Sequence, residues 1–452
     1  MKNREHFSAH VILPVVLSTL LVLSPVAYSS QPTSIWSRSH LFGDVAGVRP
    51  WLARRGIEIG AVEQPVPSDV LSGGARQGKA FAGLLTLSAR IHLGRYVNVP
   101  GLSAYVSAWV PQGHGPTAYY VHSLSGLSYE EAPDGARLAD AYLTWHAPHD
   151  TVHVKIGKFG IDENFDQNPA ADVLVNSNFT YRNIMANNLP GGGPAFSYEG
   201  PGVMVAVQTT LALRLRGGLF SGDPLGQPLE GPPPQVRDPN GLIFPLNTGA
   251  LAIGEADYTY RLAGLGPGTF LVGGLYDTLS RPDLFYNEAG ESLALGGLPR
   301  QDRGDYVLYA GDTQTVWRGA AHRRLRMFAR IAYAPPNRNL ISFDAQAGIV
   351  FNGIFRDRPH DALAFAISYD RISSQSINLV QDQNIIDSSN APLPSAETDF
   401  ELDYTAYIAP WLTMTPDLQY ILHPGGGIPD AQKPDELEPN AVIGQMELTI
   451  VF

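Results

Sequence analysis

The chain of 452 residues contains no cysteine, which excludes disulfide staples and thiolate metal sites. Beyond residue 29 it lacks any apolar run approaching the ~20 residues that a membrane-crossing helix needs. A mature chain embedded in a bilayer would therefore have to cross it as a closed barrel. Basic residues are the minority, with 31 Lys and Arg against 43 Asp and Glu and a formal charge of −12. An acidic surface argues against nucleic acid as a partner. Linkers are missing too: Gly and Pro are scattered in short clusters, the longest running from Gly222 to Pro239. One continuous domain is expected where the length alone would allow two or three.

The amino terminus is different. Lys2 and Arg4 precede an uncharged run from Val11 to Ala27, followed by Ala27-Tyr28-Ser29. This is the layout of a secretory signal peptide; Pro14 and Pro25 interrupt the run only mildly, so a transmembrane anchor is the competing reading. Residues 1–29 are read as a cleaved signal, 30–55 as a small periplasmic or plug segment with a helical look at Gly47 to Arg55, and 56–452 as the body of the fold.

Period-2 segments rich in Val, Ile, Tyr, Phe, Leu and Thr recur along that body. They fall near 56–62, 79–91, 101–110, 138–146, 151–159, 200–208, 211–221, 252–262, 268–276, 305–317, 323–333, 343–353, 362–371, 398–408, 413–422 and 441–451. The last is the most informative. Val442, Gly444, Met446, Leu448, Ile450 and Phe452 share one face, and Ile443, Gln445, Glu447, Thr449 and Val451 the other. A strand of about 9–11 residues with one apolar face can cross a bilayer, and a terminal strand must find a partner or expose an edge. Outer-membrane barrels of Gram-negative bacteria commonly end this way, and the tail is the expected handle for their assembly machinery.

Connections alternate in length. Short turns at Ala147 to Asp150, Thr209-Thr210, Ala263 to Pro267, Arg318 to His322 and Ala409 to Leu412 mostly alternate with long loops. The long ones are Pro111 to Arg137, Gly160 to Glu199, Gly222 to Leu251, Asp277 to Gly304, Ile372 to Glu397 and His423 to Asn440. Short on one rim and long on the other is the pattern of an outer-membrane barrel. The fold class is therefore all-β: a transmembrane antiparallel barrel of about sixteen strands, with short periplasmic turns, long extracellular loops and outer-membrane lipid around it. Tyr333, Tyr369, Tyr407 and Tyr420 suit interfacial girdles.

Face assignment places bases and acids inside. In 398–408 the apolar Phe400, Leu402, Tyr404, Ala406 and Ile408 alternate with Asp399, Glu401, Asp403, Thr405 and Tyr407. The lumen candidates are the bases Arg90, Lys155, Arg214, Arg216, Arg324, Arg326 and Arg330, and the acids Glu255, Asp257, Asp399, Glu401, Asp403, Asp417 and Glu447. Bases and acids sit mostly on different strands, which predicts a transverse field across the pore.

Motifs for other chemistry fall short. Gly73 to Ala80, GGARQGKA, nearly matches a phosphate-binding loop, but Ala80 stands where a Ser or Thr must reach the metal, and a strand follows where a helix should begin. His146, His149 and His153 surround a turn without ligand spacing. Asp162, Glu163 and Asp166 lack the second acidic cluster that glycoside hydrolysis needs. No enzyme activity, cofactor or metal is expected. A soluble β-sandwich is the competing fold, though a sandwich has no reason to sort its loops by end.

Several stretches resemble the carbohydrate-selective porins of the OprB family. They are LFGDVAGVRPWLARRGIEIG (Leu41 to Gly60), LSGGARQGKAFAGLLTL (Leu71 to Leu87), RLADAYLTW (Arg137 to Trp145), VKIGKFGIDENF (Val154 to Phe165), NSNFTYRNIMANNLPGGGPAF (Asn176 to Phe196), GLFSGDP (Gly218 to Pro224) and APWLTMTPDLQYILHPGG (Ala409 to Gly426). Asp140 departs from the pattern, standing where Glu is expected. The resemblance implies a sixteen-stranded channel that passes sugars by facilitated diffusion, with inward loops forming an eyelet of arginine, acidic and aromatic side chains. The matching loops are Pro111 to Arg137 and Gly160 to Glu199, and the implied eyelet residues are Glu130, Glu131, Arg137, Asp162, Glu163, Tyr181 and Arg182. Monosaccharides or similar small polyols are the implied solutes, and a general or cation-preferring diffusion porin is the alternative.

Overall fold

Sixteen antiparallel strands, each paired with its neighbours in chain order, close into a ring where β1 (Ile57–Ser72) meets β16 (Ala441–Val451). Between them run β2 (Gly78–Ile91), β3 (Leu102–His114), β4 (Arg137–His146), β5 (Val152–Phe159), β6 (Gly200–Gln208), β7 (Leu213–Ser221), β8 (Ala250–Arg261) and β9 (Pro267–Asn287). The ring continues through β10 (Pro299–Arg318), β11 (Arg324–Tyr333), β12 (Ile341–Asn352), β13 (Ala362–Ile372), β14 (Ala396–Ala409) and β15 (Leu412–Leu422). The computed structural model describes residues 34–226, 233–320 and 323–452, so the signal read at 1–29 lies outside the described residues. No helix among them is long and apolar enough to cross a membrane.

Alternation sets the faces. Leu308, Ile331, Leu402 and Leu418 are exposed on the outside, while their neighbours Val307, Arg330, Asp403 and Asp417 are buried toward the lumen. Tyr333, Tyr369, Tyr407 and Tyr420 are all exposed near strand ends. Tyr407, which strict alternation puts on the polar face, sits at a register shift between Tyr407 and Ala409 that turns it outward.

Three strands run well past the sequence reading. β1 continues through Pro65 and Pro67, and its ladder to β16 pairs Val62 and Glu63, then resumes at Ser68. The skipped stretch holds the two residues that have no N–H to donate. β9 and β10 run for 21 and 20 residues, roughly 70 Å each at ~3.3 Å per residue, through much of what alternation assigned to the Asp277 to Gly304 loop. Its contacts there are polar: the Leu284 N–H donates to the Asn337 carbonyl at 2.8 Å, and the Asn337 amide donates to Asp302. Its ladder is supported by the ion pairs Arg281–Asp277 (3.0 Å) and Arg300–Asp283 (2.5 Å).

On the short-turn rim, the amino-terminal segment packs against the end of the barrel. Helix α1 (Val48–Arg54) carries Arg49 to the oxygen of Phe452. The Leu41 N–H donates to the Val451 carbonyl at 2.8 Å, and the Phe42 and Phe452 rings stack at 5.3 Å. Trp36 stacks on Trp411 of the β14–β15 turn at 6.3 Å, and the Trp411 indole donates to the Ile35 carbonyl at 2.8 Å.

Candidate channel constriction

The β5–β6 connection, residues 160–199, folds into the barrel. One side of it is apolar: Ile161, Phe165, Tyr181, Ile184, Met185 and Leu189 form a single core with inward residues of the wall, among them Phe159, Phe220, Leu251, Ile253, Leu271 and Val307. A second contact sets Ala170, Ala171, Leu174 and Phe179 against Phe328, Val350 and the alanines 362, 364 and 366. Each large side chain fully buried this way contributes about 1.5–3 kcal/mol. The lumen wall of β5 to β13 is thus partly apolar, where uniform alternation predicts a polar interior, because here the wall faces protein.

Charges then pin the loop. Helix α2 (Asn183–Ala186) begins just after Arg182, whose guanidinium lies between Asp166 (2.5 Å) and Asp344 (2.8 Å) with none of its side chain exposed. Burial alone would lower its affinity for the proton, but the two carboxylates outweigh that and hold the charge more firmly than in water. Arg330 donates to the carbonyls of Phe179 (2.7 Å) and Asp166 (3.2 Å). Arg216 donates to Asn164 O (2.5 Å), Arg326 to Pro169 O (2.7 Å), and Glu255 accepts from the Asp166 N–H (2.5 Å). On the far wall Glu401 accepts from the N–H groups of Val175 (2.6 Å) and Asn176 (2.9 Å), Asp399 from the Asn176 amide (3.3 Å), and Asp370 from Asn178 and Asn183 (both 2.8 Å).

The β3–β4 connection, residues 115–136, also turns inward. Glu131 accepts from the Thr117 hydroxyl (2.8 Å) and the Ser128 N–H (3.3 Å), and burial pushes its carboxyl up to about 7. Glu130 is buried and accepts from Gln64 (3.1 Å). Tyr129 donates to Asp162 at 2.9 Å and stacks on Phe196 at 4.6 Å, which joins the two loops. Asp162 also accepts from the Phe196 N–H at 2.9 Å, and burial raises its pKa.

These placements revise the sequence-derived eyelet. Arg182, Tyr181, Asp162, Glu130 and Arg137 are buried, and Glu131 is tied up within its own loop. Tyr181 donates to Gly192 O at 2.8 Å, and the Arg137 guanidinium bonds the Pro133 carbonyl and lies over the Tyr198 ring at 4.6 Å. Most of their polar atoms are bound inside protein, Glu130 Oε2 and Arg137 Nε being left without a partner. These six hold the loops in place. Glu163 alone of the seven is exposed to the lumen. Burial of its surroundings and the nearby Asp140 and Asp162 carboxylates push it up to about 7, against the pull of Lys155.

The expected transverse field is also modified. Arg216 is neutralised in place by Asp257 and by Glu255 (3.3 Å), on the adjacent strand. Arg330 is spent on the loop, and Arg324 bonds Asn352 (3.2 Å) near the short-turn rim, as Arg214 lies on β7 near its own turn. Glu447 accepts from Thr449 (3.2 Å). Asp399, Glu401, Asp403 and Asp417 remain as an acidic wall on β14 and β15, with no basic ion-pair partner among the described residues.

Beside the loop, in the half of the lumen nearer the short turns, a different group gathers. The Tyr105 and Tyr142 rings lie 5.1 Å apart, Arg90 sits 5.0 Å over Tyr105, and Lys155 sits 4.4 Å over Tyr142 while donating to Asn164 at 2.8 Å. Neither tyrosine is among the sequence candidates. Their signal was parity: Tyr105 alternates with Ser103 and Ser107, and Tyr142 with Asp140 and Thr144, all inward.

A closed sixteen-stranded barrel with two connections folded into its lumen is a porin of the outer membrane. The profile of the carbohydrate-selective porins, OprB family, matches residues 76–452, and the chain belongs to that family. Porin B of Pseudomonas aeruginosa is 30% identical over 196 residues, an alignment spanning 41% of each chain. The putative porin QuiX of Acinetobacter baylyi is 22% identical over 456 residues, covering 94% of this chain and 96% of that one. The high-pH structure of Pseudomonas putida OprB superposes with a TM-score of 0.82 at 22% identity, covering 93% of this chain and 100% of that one, which shows the shared fold.

Proposed function

We propose that this porin lets sugars or similarly small polyhydroxylated solutes diffuse passively into the periplasm, and that Tyr105, Tyr142, Arg90 and Glu163 form the surface they touch, with the buried Lys155 backing the Tyr142 ring. The observation that carries this reading is the pair of half-buried tyrosine rings flanked by two cations, with an exposed carboxylate on the loop beside them. A sugar ring has an apolar face that an aromatic can cover and hydroxyls that both donate and accept, so Arg, Lys and carboxylate groups suit its rim. Contacts on one side keep binding weak, as conduction requires. Export through a cleaved signal at residues 1–29 and assembly by way of the strand ending in Phe452 belong to the same reading.

The acidic wall on β14 and β15 favours a second reading, a cation-preferring diffusion porin, because unpaired carboxylates along a pore attract cations. Purified protein in planar bilayers separates the two. Sugar transport predicts a current reduced in a saturable way by sugars and a permeation rate in liposome swelling that depends on sugar identity at equal size. Permeation that follows solute size alone, with a reversal potential strongly favouring cations, would sink the first reading and leave the second.

A further inference from the structure

The inward faces of β14 and β15 hold three carboxylates that no base answers. Asp403 and Asp417 stand directly opposite each other in the ladder, and Glu401 is the next inward residue along β14. One oxygen from each lies within 4.8 Å of the other two. All three side chains are buried, Asp403 completely. Like charges opposed across a ladder repel, and a buried carboxylate without a counter-charge is costly.

Their hydrogen bonds leave the problem unsolved. Of the two Glu401 oxygens only Oε1 accepts, from the Val175 and Asn176 N–H groups, and of the two Asp417 oxygens only Oδ2 accepts, from the Gln419 and Gln445 amides, both at 2.9 Å. Glu401 Oε2, Asp417 Oδ1 and both oxygens of Asp403 are buried with no hydrogen-bond partner. An aspartate with two orphaned oxygens, facing two further orphaned oxygens on its neighbours, calls for a positive charge between them.

We infer that this trio binds a hard divalent cation, calcium foremost, on the wall of the lumen. Calcium takes carboxylate oxygens at about 2.3–2.6 Å, so opposed ligands stand about 4.6–5.2 Å apart, a spacing the trio can span. Magnesium holds its ligands closer and demands near-octahedral geometry. The remaining positions fall to water from the lumen. No sequence motif announces the site, because two ligands alternate on one strand and the third comes from across the hairpin. Since the other oxygen of Glu401 carries the backbone of residues 175 and 176, the ion braces the wall to which the β5–β6 connection is pinned. Protons shared among the three carboxyls are the rival explanation.

The test uses the full barrel in detergent, stripped with chelator and titrated with calcium chloride at neutral pH, followed by calorimetry and by the midpoint of thermal unfolding. One calcium per chain is expected, with a midpoint that rises on calcium addition and falls back on chelation. Asp403→Asn should weaken calcium binding at least about tenfold, as loss of a charged ligand does, and abolish the rise. Asp417→Asn should do the same and serves if the first variant does not fold. Asp172→Asn, an exposed acid of the loop, should bind as wild type does. No saturable binding by wild type up to about 10 mM calcium, above the weakest range of extracellular calcium modules, or unchanged binding in the Asn variants, overturns the inference in favour of shared protons.

Discussion

The guanidinium of Arg49, on the amino-terminal helix, bonds an oxygen of Phe452, the last residue of the chain. The same Phe452 ring stacks on Phe42, so the final strand is held by β1, by β15 and by the segment that precedes the barrel. Replacing Arg49 with Ala removes a partly exposed, charge-assisted hydrogen bond. A loss of about 1–2 kcal/mol is expected, at the low end for bonds to charged groups. The check is the temperature at which the folded band converts to the unfolded band on a gel, which should fall while single-channel conductance stays at its wild-type value.

Arg182 lies between two carboxylates with no exposed surface. Arg182→Met leaves Asp344 buried without its ion-pair partner and Asp166 with only the longer pair to Arg330 (3.9 Å), a change that costs about 3–5 kcal/mol. Because the β5–β6 connection is what the pair pins, the barrel should persist while the loop loosens. Conductance should rise and become noisier, and discrimination among sugars should narrow. Wild-type conductance in a correctly folded Arg182→Met barrel would show that the apolar contacts alone hold the loop.

Glu163 carries the pH dependence. Its carboxyl, raised to about 7, is mostly neutral near pH 6 and mostly charged near pH 8, so cation preference should climb across that window. Glu163→Gln should keep the low-pH selectivity throughout. The linked stability runs the other way. An acid whose folded pKa exceeds its unfolded value of 4.5 stabilises the fold fully below 4.5, and that contribution is lost as pH rises through about 7. Reversal potentials in a salt gradient at several pH values read the first effect, and unfolding midpoints of wild type and Glu163→Gln read the second.

Tyr105 and Tyr142 should matter to sugars and little to ions. Loss of an aromatic surface worth about 0.5–1.5 kcal/mol predicts that Tyr105→Ala or Tyr142→Ala weakens sugar block of the current by about twofold to tenfold, with ion conductance equal or higher. The Phe variants, which keep the rings, should behave nearly as wild type. Equal sugar block in wild type and both Ala variants would remove the pair from the permeation path.

The barrel was legible in the sequence because a strand in a membrane must alternate, and the lipid side enforces this along every crossing: each of the sixteen strands overlaps a stretch read at period 2, although β1 runs on from the 56–62 read there to Ser72, and its seam with β16 lies mostly in that extension. What lies beyond the lipid obeys other rules. The outer halves of β9 and β10 read as loop since no apolar partner shapes them. The inward loops hid their roles for a further reason. A buried Arg182 and a solvent-facing Glu163 look alike as letters, and only the chain path decides which carboxylates meet Arg182. Asp344 and Asp166, its partners, come from a distant strand and from a residue considered only as a hydrolytic acid.

The long β9–β10 hairpin changes how the channel meets its surroundings. A crossing takes about ten residues of each strand, and these strands have 21 and 20, so roughly half of the hairpin stands as a fin outside the bilayer. The mouth is therefore taller at this hairpin than at strands of ordinary length such as β11. The fin is thus the part of the barrel that antibodies, bacteriophages or neighbouring cells would meet first.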